Sequence, residues 1–368
     1  MNIEIGKSKF SSRSYSLEEV AIVPTKRTRS IEQVDISWDL EALKLQAPIL
    51  GSPVDSVMSP KSISALNNVG GLGILNLEGL WGRHKNVDKL IDEFLNTEEE
   101  DKYDFLKSAY SREINEEYIR SVVAELVTSN NYVALSVSPG SVNKYKKLLK
   151  SLNVDLVVIQ GTILSAEHVS EHEESLDIFE FVKFIDVPVL AGGVSSYNTA
   201  IHLMRSGIAG VLVGVGVGSA STVNETVGIK VSQATAISDA VAARSQYLEE
   251  SGRYVNVIAD GGFSNTGEIC KALACGADAV MIGSLLSKAS DGPFPGYHWG
   301  MKTFSSKVKR GKIIKHPKMY TLEQIFNHDN STNSDGEVNI IGCIKQSMAS
   351  TGYLNLKDFQ KAELTIIS

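Results

Sequence analysis

Three glycine-rich segments of the chain carry the residue types that bind phosphate. They comprise residues 214–219, 260–262 and 283–284, and each directly follows an apolar run typical of a buried strand. Glycine lets the backbone approach a ligand closely, and free N–H groups at helix starts bind phosphate oxygens. Ser219 and Ser284 add hydroxyl donors. One such segment alone is often only a tight turn, but three on successive units predict phosphate binding.

A carboxylate in the same region adds a group suited to binding a sugar. Asp260 directly follows the run VNVIA, so we expect it at the end of a strand, next to Gly261 and Gly262. There it could accept hydrogen bonds from sugar hydroxyls. A phosphosugar or a flavin phosphate would satisfy these residues as well as a nucleotide would, so the class of ligand needs a separate argument.

Eight short apolar runs are predicted to position these segments. The runs are continuous rather than alternating, which is typical of parallel strands buried on both faces. Helix-like stretches separate them, for example residues 141–152, 198–206 and 232–250. Repeated β-then-α units favour an α/β fold of the (β/α)8 TIM-barrel class, with an open doubly wound sheet as the alternative. The predicted strands are residues 47–50, 72–75, 132–137, 156–159, 187–191, 210–213, 255–259 and 279–282.

The rest of the chain is predicted to surround this single barrel, which we place at residues 47–368. Residues 1–46 form a pre-barrel N-terminal segment. Residues 78–131 are charged and helix-rich, with room for two helices but too short for an inserted regulatory domain. Residues 301–336 are polar and are predicted to form a mobile excursion after the last strand. A disordered surface loop is the alternative for that excursion.

Charge and cysteine content narrow the classes of function. The 368 residues carry a formal net charge of −7, which argues against broad affinity for nucleic acid or membranes because both require dense Lys and Arg patches. Cys270, Cys275 and Cys343 lack metal-ligand spacing and indicate a reducing, cytoplasmic compartment. No stretch approaches the ~18 consecutive apolar residues of a membrane span, and the N-terminus lacks an apolar signal core.

Several segments together resemble the IMP dehydrogenase/GMP reductase family. The segments 258–262 and 281–284 match that family's ribose- and phosphate-binding motifs, and residues 296–301 look like its purine-contacting loop with the spacing changed by about one residue. The CBS pair of many IMP dehydrogenases is absent, so the chain is most similar to the CBS-less, IMP dehydrogenase-related branch. The resemblance runs from about residue 14 to the end and is carried by residues 16–24, 51–57, 70–75, 258–262, 281–284, 296–301 and 341–352.

The resemblance implies a purine nucleoside monophosphate as ligand and a homotetrameric assembly. It also implies a potassium ion held by carbonyls of the loop that contains Gly216, Gly218 and Ser221. Asp260 would bind the ribose, with Gly261 beside it. The implied phosphate contacts are Ser219, Gly262, Gly283, Ser284 and Tyr297, and the implied base contacts are Ser52, Val54, Gly300 and Met301.

This sequence matches the family's catalytic residues less well than its ligand-binding residues. The family motif Gly-Ser-x-Cys-Thr carries the thiolate that attacks the purine ring, but residues 218–222 read GSAST, so the nucleophile position is Ser221, followed by Thr222. A hydroxyl needs an adjacent strong base to act as a nucleophile, whereas a thiol ionises readily. Gln160 stands where the family has an acidic cofactor contact, and Gly193 where it has an asparagine. The polar excursion lacks the Arg-Tyr pair of the dehydrogenases.

The family therefore predicts an IMP dehydrogenase-like oxidoreductase that oxidises IMP to XMP with NAD, or with NADP. One alternative is a catalytically impaired purine-nucleotide-binding paralogue with a regulatory role, which the missing cysteine favours. A GMP reductase and an unrelated flavin-binding barrel are further alternatives. His298 lies in the purine-loop match and could be an acid–base group, a base contact or a packing residue. Cys270 and Cys275 fall on the helix after the seventh strand, where packing is the expected role.

Overall fold

A closed barrel of eight parallel strands forms the centre of this computed structural model, which describes residues 2–129, 132–165, 167, 175–300, 302–304, 308–327 and 335–367. The strands are β1 (Asn2–Gly6), β2 (Lys9–Ser12), β3 (Val20–Ile22), β4 (Trp38–Leu40), β5 (Leu43–Leu45), β6 (Ile49–Gly51), β7 (Leu72–Asn76), β8 (Ala134–Val137), β9 (Leu156–Gln160), β10 (Val189–Val194), β11 (Gly210–Val213), β12 (Asn256–Asp260), β13 (Ala279–Ile282), β14 (Tyr297–Trp299), β15 (Ile313–Lys315) and β16 (Leu364–Ile366). Strands β6 to β13 follow one another around the barrel, and β13 pairs with β6. The predicted (β/α)8 fold is confirmed, and the open-sheet alternative is wrong because the last strand closes on the first.

The barrel strands form where continuous apolar runs can be buried on both faces. All five residues of β9 are buried, with Val157, Val158 and Ile159 completely inaccessible. All eight predicted strands are present. Three begin two residues later than predicted, and two of these start directly after Pro48 and Pro188, because proline has no N–H to donate to the ladder.

Helices cover the barrel, and most of them begin at a side-chain cap. At α10, Asn265 accepts a hydrogen bond from the Glu268 N–H at 3.0 Å while Glu268 accepts one from the Asn265 N–H, so two otherwise unpaired donors are satisfied. The helices are α1 (Pro60–Asn68), α2 (Val87–Leu95), α3 (Lys102–Ser111), α4 (Glu116–Thr128), α5 (Val142–Ser151), α6 (Ile178–Phe184), α7 (Tyr197–Arg205), α8 (Val223–Val227), α9 (Gln233–Ser251), α10 (Thr266–Ala274), α11 (Leu322–Asn327), α12 (Ile340–Ser350) and α13 (Leu356–Phe359). Single 3₁₀ turns lie at Ile31–Gln33, Leu80–Gly82, Pro139–Ser141 and Leu286–Lys288.

The segment between β7 and β8 contains three α-helices, α2 to α4, rather than the two predicted. The extra break falls at Asn96, which ends α2. Phe94 of α2 packs edge-on against Phe294 and Tyr297, with ring centroids 5.3 and 5.1 Å away. This aromatic cluster attaches the segment to β14 and thereby fixes β14 at the rim of the barrel.

The described part of the polar excursion folds back over the barrel opening. Strand β15 pairs antiparallel with β14. Just before β15, the Arg310 carbonyl accepts a hydrogen bond from the Thr222 N–H at 3.1 Å, and the Lys312 N–H donates one to the Ala220 carbonyl at 3.0 Å. These contacts count against a wholly disordered loop, while the mobility of the excursion stays a prediction.

The N-terminal segment lies against the opposite end of the chain. Strand β3 pairs antiparallel with β16, and the Trp38 indole donates a hydrogen bond to the Ala47 carbonyl at 3.0 Å, next to β6. Of the described helices, none combines the length and the apolar content that a membrane-crossing helix needs.

A buried ionic cluster ties the end of the chain to the barrel. Asp278, directly before β13, is 3% exposed and contacts Arg244 of α9 at 2.8 Å and Lys357 of α13 at 2.6 Å. The Val257 N–H and the Tyr254 hydroxyl also donate to its carboxylate. Burial raises the pKa of Asp278, but the two cations and the hydrogen bonds outweigh that effect and hold the pKa below its ordinary value. The carboxylate therefore stabilises the fold above its unfolded-state pKa and loses that contribution on acidification.

We predict that Asp278→Asn lowers the free energy of unfolding by about 3 kcal/mol, because it leaves the buried Arg244 guanidinium without its counter-charge. Urea denaturation at pH 7 measures this change. Asp358→Asn is the matched control, since Asp358 forms an exposed pair with Lys361 and should change stability by less than about 1 kcal/mol. Equal effects of the two substitutions would contradict the assignment.

Candidate functional site

The carboxyl ends of the barrel strands open into one cleft, which collects most of the predicted site residues. Thr222, Gly193 and Tyr297 do not line this cleft, Ser219 lies at its edge, and Met301 is outside the described residues. The predicted residues that do line it are Ser52, Val54, Gln160, Gly216, Gly218, Ser221, Asp260, Gly261, Gly262, Gly283, Ser284 and Gly300.

One end of the cleft has the features of a phosphate site. The Ser219 and Ser284 hydroxyls are hydrogen-bonded to each other, which brings the loops after β11 and β13 together. Gly262 has a φ of +82°, a left-handed conformation that glycine adopts without strain. Among the described residues, the N–H groups of Gly262 and Ser284 have no hydrogen-bond partner. Free backbone donors and two hydroxyls at a turn are the groups that bind phosphate oxygens.

Asp260 lies next to the phosphate end of the cleft, and its carboxylate accepts a hydrogen bond from a side chain on the other side of the barrel. The Gln160 side-chain amide donates a hydrogen bond to Asp260 Oδ2 at 2.7 Å and also contacts Met281 Sδ at 3.4 Å. Burial raises the pKa of Asp260 to about 6, and the Gln160 hydrogen bond opposes that increase. The carboxylate is thus ionised at neutral pH and able to accept hydrogen bonds from a ligand.

Gln233 is a site-building residue that the sequence did not reveal. It is 3% exposed, and its amide nitrogen donates to the carbonyls of Val213 at 2.8 Å and Gly261 at 3.2 Å. One side chain therefore links the loops after β11 and β12. A polar residue at the first position of α9, a helix that is otherwise packed against the barrel, was the available signal.

Ser221 lines the cleft but lacks a partner that would make it a strong nucleophile. Its hydroxyl oxygen accepts a hydrogen bond from the Val223 N–H at 3.3 Å, and its own N–H donates to the Gly218 carbonyl at 3.0 Å. No acidic or basic side chain of the described residues is hydrogen-bonded to it. Thr222 does not line the cleft, and its backbone N–H donates a hydrogen bond to the carbonyl of Arg310, which does.

Strand β14 brings His298 to the cleft instead of the predicted Tyr297. Successive side chains of a strand point to opposite faces, so Tyr297 packs on Phe94 and its hydroxyl donates to Glu99, while His298 faces the cleft. A methyl group placed on Gly283 would lie 3.4 Å from the His298 ring. Tyr297, which was expected to contact the phosphate, is therefore directed away from the cleft and His298 lines it, in keeping with the shifted spacing of this loop.

His298 is a neutral group at physiological pH. It is 6% exposed, and its Nδ1 is hydrogen-bonded to the Ser56 hydroxyl at 3.2 Å. Burial, with a smaller effect of the His316 charge, lowers the pKa of His298 to about 3. The ring can therefore donate or accept a hydrogen bond in the cleft but does not carry a positive charge there.

The polar excursion contributes two basic side chains to the cleft. Lys302 and Arg310 both line it, and the Arg310 Nε is buried without a hydrogen-bond partner among the described residues. They supply positive charge close to the loop that carries Ser221, in a protein whose net charge is negative. The basic run at residues 307–312 was the sequence signal for Arg310, whereas Lys302 lies outside it.

The two positions matched to the family's cofactor contacts, Gln160 and Gly193, make contacts within the protein, and their cofactor role stays a prediction. The Gly193 N–H donates to the Gly161 carbonyl at 3.0 Å, and its carbonyl accepts from the Leu164 N–H at 3.0 Å. A side chain at Gly193 would meet the Gly214 carbonyl at 2.5 Å, so no larger residue fits there. Gln160 directs its amide nitrogen at Asp260 and retains only one free oxygen.

The geometry does not test the predicted potassium site. Gly216, Gly218 and Ser221 lie on one turn, and a potassium ion bound by their carbonyls stays a prediction. The part of the chain that the structure describes holds no group of three or more His, Cys, Asp or Glu suited to a metal.

Burial raises the pKa of Cys270 to about 12 and that of Cys275 to about 11, so both are inert packing residues as predicted.

Comparisons with known proteins agree over the whole chain. A family model described as the IMP dehydrogenase / GMP reductase domain matches residues 14–368. An uncharacterized oxidoreductase of Mycobacterium leprae is 39% identical over 99% of both chains, and an inosine-5'-monophosphate dehydrogenase of Borreliella burgdorferi is 26% identical over 83% of this chain and 78% of its own. A crystal structure of an IMP dehydrogenase/GMP reductase-like protein from Corynebacterium glutamicum superposes with a TM-score of 0.93 at 38% identity, covering 100% of this chain and 98% of that chain.

We predict that Gly283→Ala weakens binding of inorganic phosphate and of nucleoside monophosphates by at least about tenfold, equivalent to about 1.4 kcal/mol. The added methyl group would make only ordinary contacts, 3.4 Å from His298 and 3.6 Å from Ser52, so the fold should accept it while the cleft loses space. Calorimetric titration measures the affinity and thermal denaturation checks the fold. Gly140→Ala is the control because its methyl group would contact nothing within 4 Å.

A second prediction concerns pH. Because the pKa of Asp260 is raised to about 6, the carboxyl is ionised above that pH and protonated below it. We expect nucleoside monophosphate affinity to fall several-fold between pH 7.5 and pH 5, since the protonated group accepts hydroxyl donors less well. The ligand phosphate also titrates near pH 6, so Asp260→Asn is the control that isolates the protein's part. An identical pH profile in that variant would contradict the prediction.

Proposed function

This chain belongs to the IMP dehydrogenase/GMP reductase family, and we propose that it is an IMP dehydrogenase-like oxidoreductase that oxidises IMP to XMP with NAD. The observation that carries the proposal is the row of phosphate- and sugar-binding groups at the ends of β11, β12 and β13. These groups are ordered as a nucleoside 5'-monophosphate requires, because the sugar lies between the phosphate and the base.

The binding role of each group follows from its position in the cleft. The free N–H groups of Gly262 and Ser284 would hold the phosphate, with His298 as a neutral hydrogen-bonding group beside Gly283. Asp260 would accept hydrogen bonds from the ribose. The base would then lie toward Ser52, Val54, Gly300 and Ser221, where Lys302 and Arg310 add positive charge.

The proposed reaction converts IMP, NAD⁺ and water into XMP, NADH and a proton. NAD would supply the hydride acceptor when bound, and NADP is the alternative. In this chain the group facing the base at the family's nucleophile position is the Ser221 hydroxyl, which has no base hydrogen-bonded to it among the described residues. Since a hydroxyl without a base is a weak nucleophile, we expect slow turnover.

A second candidate is a purine-nucleotide-binding protein that does not turn its ligand over and acts on a partner protein. It is favoured by Ser221 in place of the family cysteine, by Gln160 in place of the family's acidic cofactor contact and by Gly193 in place of its asparagine. The phosphate and sugar groups are unaffected by these changes, so both candidates share the same ligand. They differ only in whether hydride transfer occurs.

By the same family resemblance we propose a homotetramer in the cytoplasm, with potassium bound by carbonyls of Gly216, Gly218 and Ser221. The three cysteines are free, which suits a reducing compartment. Sedimentation velocity with and without potassium would test the assembly and the cation together.

We predict that Ser221→Cys increases IMP-dependent NADH formation by about 100-fold or more, because a thiolate forms far more readily than an alkoxide at neutral pH. Absorbance at the NADH band measures the rate, and Ser221→Ala should abolish any wild-type rate. Ser245→Cys, at an exposed position on α9, is the matched control for adding a thiol. GMP with NADPH is assayed in parallel for the reductase direction.

The outcomes separate the candidates. Tight IMP binding with NADH formation in wild type or in Ser221→Cys supports the oxidoreductase. Tight IMP binding with no hydride transfer in either protein, in both directions, supports the non-catalytic candidate. Absence of binding to IMP, XMP and GMP would overturn both.

A further inference from the structure

Gln160 has a buried polar atom that the fold leaves unused. The residue ends β9, is 6% exposed, and its side chain reaches across the barrel opening to Asp260 at the end of β12. Strands β10 and β11 separate these two strands in the barrel. The pair therefore joins opposite sides of the cleft floor.

The orientation of the Gln160 amide follows from its partner. An ionised carboxylate only accepts hydrogen bonds, so the amide nitrogen must face Asp260 Oδ2, which lies 2.7 Å away. The amide oxygen, Oε1, then points elsewhere. It is buried and has no hydrogen-bond partner among the described residues. A buried acceptor without a donor is unfavourable, so this oxygen is available to a donor that enters the cleft.

The place of this oxygen relative to the phosphate end indicates what that donor is. Asp260 precedes Gly262 by two residues, so their Cα atoms are at most ~7.6 Å apart at 3.8 Å per peptide. A nucleotide whose phosphate binds the Gly262 N–H therefore places its sugar beside Asp260. The ribose presents two neighbouring hydroxyl donors, and the cleft offers two neighbouring acceptors, the Asp260 carboxylate and the Gln160 Oε1.

We propose that Gln160 and Asp260 together bind the 2'- and 3'-hydroxyls of the sugar and make the cleft selective for ribonucleotides over 2'-deoxyribonucleotides. The inference rests on the proposed nucleotide ligand. It assigns the free Gln160 oxygen to the nucleotide, whereas the family resemblance matches this position to a cofactor contact.

The amide is suited to this task in a way that a carboxylate is not. An acidic residue at position 160 would place two carboxylates within hydrogen-bond distance, and one of them would have to be protonated. The neutral amide donates to Asp260, which favours the ionised carboxylate, and still leaves an acceptor for the ligand. Gln160 is thus a positioning residue for Asp260 and a sugar contact in its own right.

The experiment compares IMP with 2'-deoxy-IMP by calorimetric titration at pH 7.5. We expect the wild-type protein to bind IMP about 10- to 100-fold more tightly, the range for removal of one ligand group from a buried polar pair. In Gln160→Met, which has a similar volume but no acceptor, we expect that preference to fall to a few-fold through weaker IMP binding. Affinity for 2'-deoxy-IMP should change little, which also shows that the variant is folded.

Two further variants sharpen the comparison. Gln346→Met, at an exposed position on α12, is the matched control and should retain the wild-type preference. Gln160→Glu should make the preference depend on pH more steeply than in the wild-type protein, since the two carboxylates would share a proton.

Each result bears on the inference. Equal wild-type affinity for the two nucleotides would overturn it while leaving the proposed function intact, since a water molecule would then satisfy Oε1. An unchanged preference in Gln160→Met would overturn the role of Gln160 and leave Asp260 as the only sugar contact. Binding of neither nucleotide would overturn the proposed function itself.

Discussion

Closure of the barrel by the pairing of β13 with β6 is the constraint on which the rest of the structure depends. Closure removes both sheet edges and turns the carboxyl ends of all eight strands toward one opening. Loops that are far apart in the sequence, such as those after β11 and β13, then meet there, and the Ser219–Ser284 hydrogen bond joins them. Two buried side chains complete this arrangement. Asp278 anchors the start of β13 to α9 and α13, and Gln233 links the loops after β11 and β12.

The charges in the cleft have two origins: burial sets the protonation of the groups at its floor, and the polar excursion adds basic side chains near its opening. Burial raises the pKa of Asp260 and lowers that of His298, so the floor holds one carboxylate that titrates near neutral pH and one neutral ring. Lys302 and Arg310 arrive from the excursion after β13, which is fixed at the rim through β14, β15 and the aromatic cluster of Phe94. The cleft thus favours an anionic ligand although the chain as a whole is acidic.

Binding and chemistry are separable in this chain because they depend on different kinds of group. Phosphate binding relies on backbone N–H groups and on glycine conformations, which substitutions at neighbouring side chains do not alter. Nucleophilic chemistry relies on one side chain and its base, and Ser221 has no base hydrogen-bonded to it among the described residues. A family member that loses its cysteine can therefore retain its ligand, and Gln160, at a position matched to a cofactor contact, is hydrogen-bonded to Asp260.

The sequence by itself determined the barrel, its eight strands and the three glycine-rich segments that meet at its opening, because these depend on local patterns: continuous apolar runs, proline positions and glycine turns. It also placed Ser221 at the nucleophile position and identified Cys270 and Cys275 as packing residues. Only the tertiary structure decided that His298 rather than Tyr297 faces the cleft, since one residue of register on β14 reverses a side chain's direction. The same holds for Gln233, Lys302 and Arg310 and for the pairing of Gln160 with Asp260, which join segments far apart in the chain. Such contacts arise from how the barrel closes, and no local pattern in the sequence specifies them.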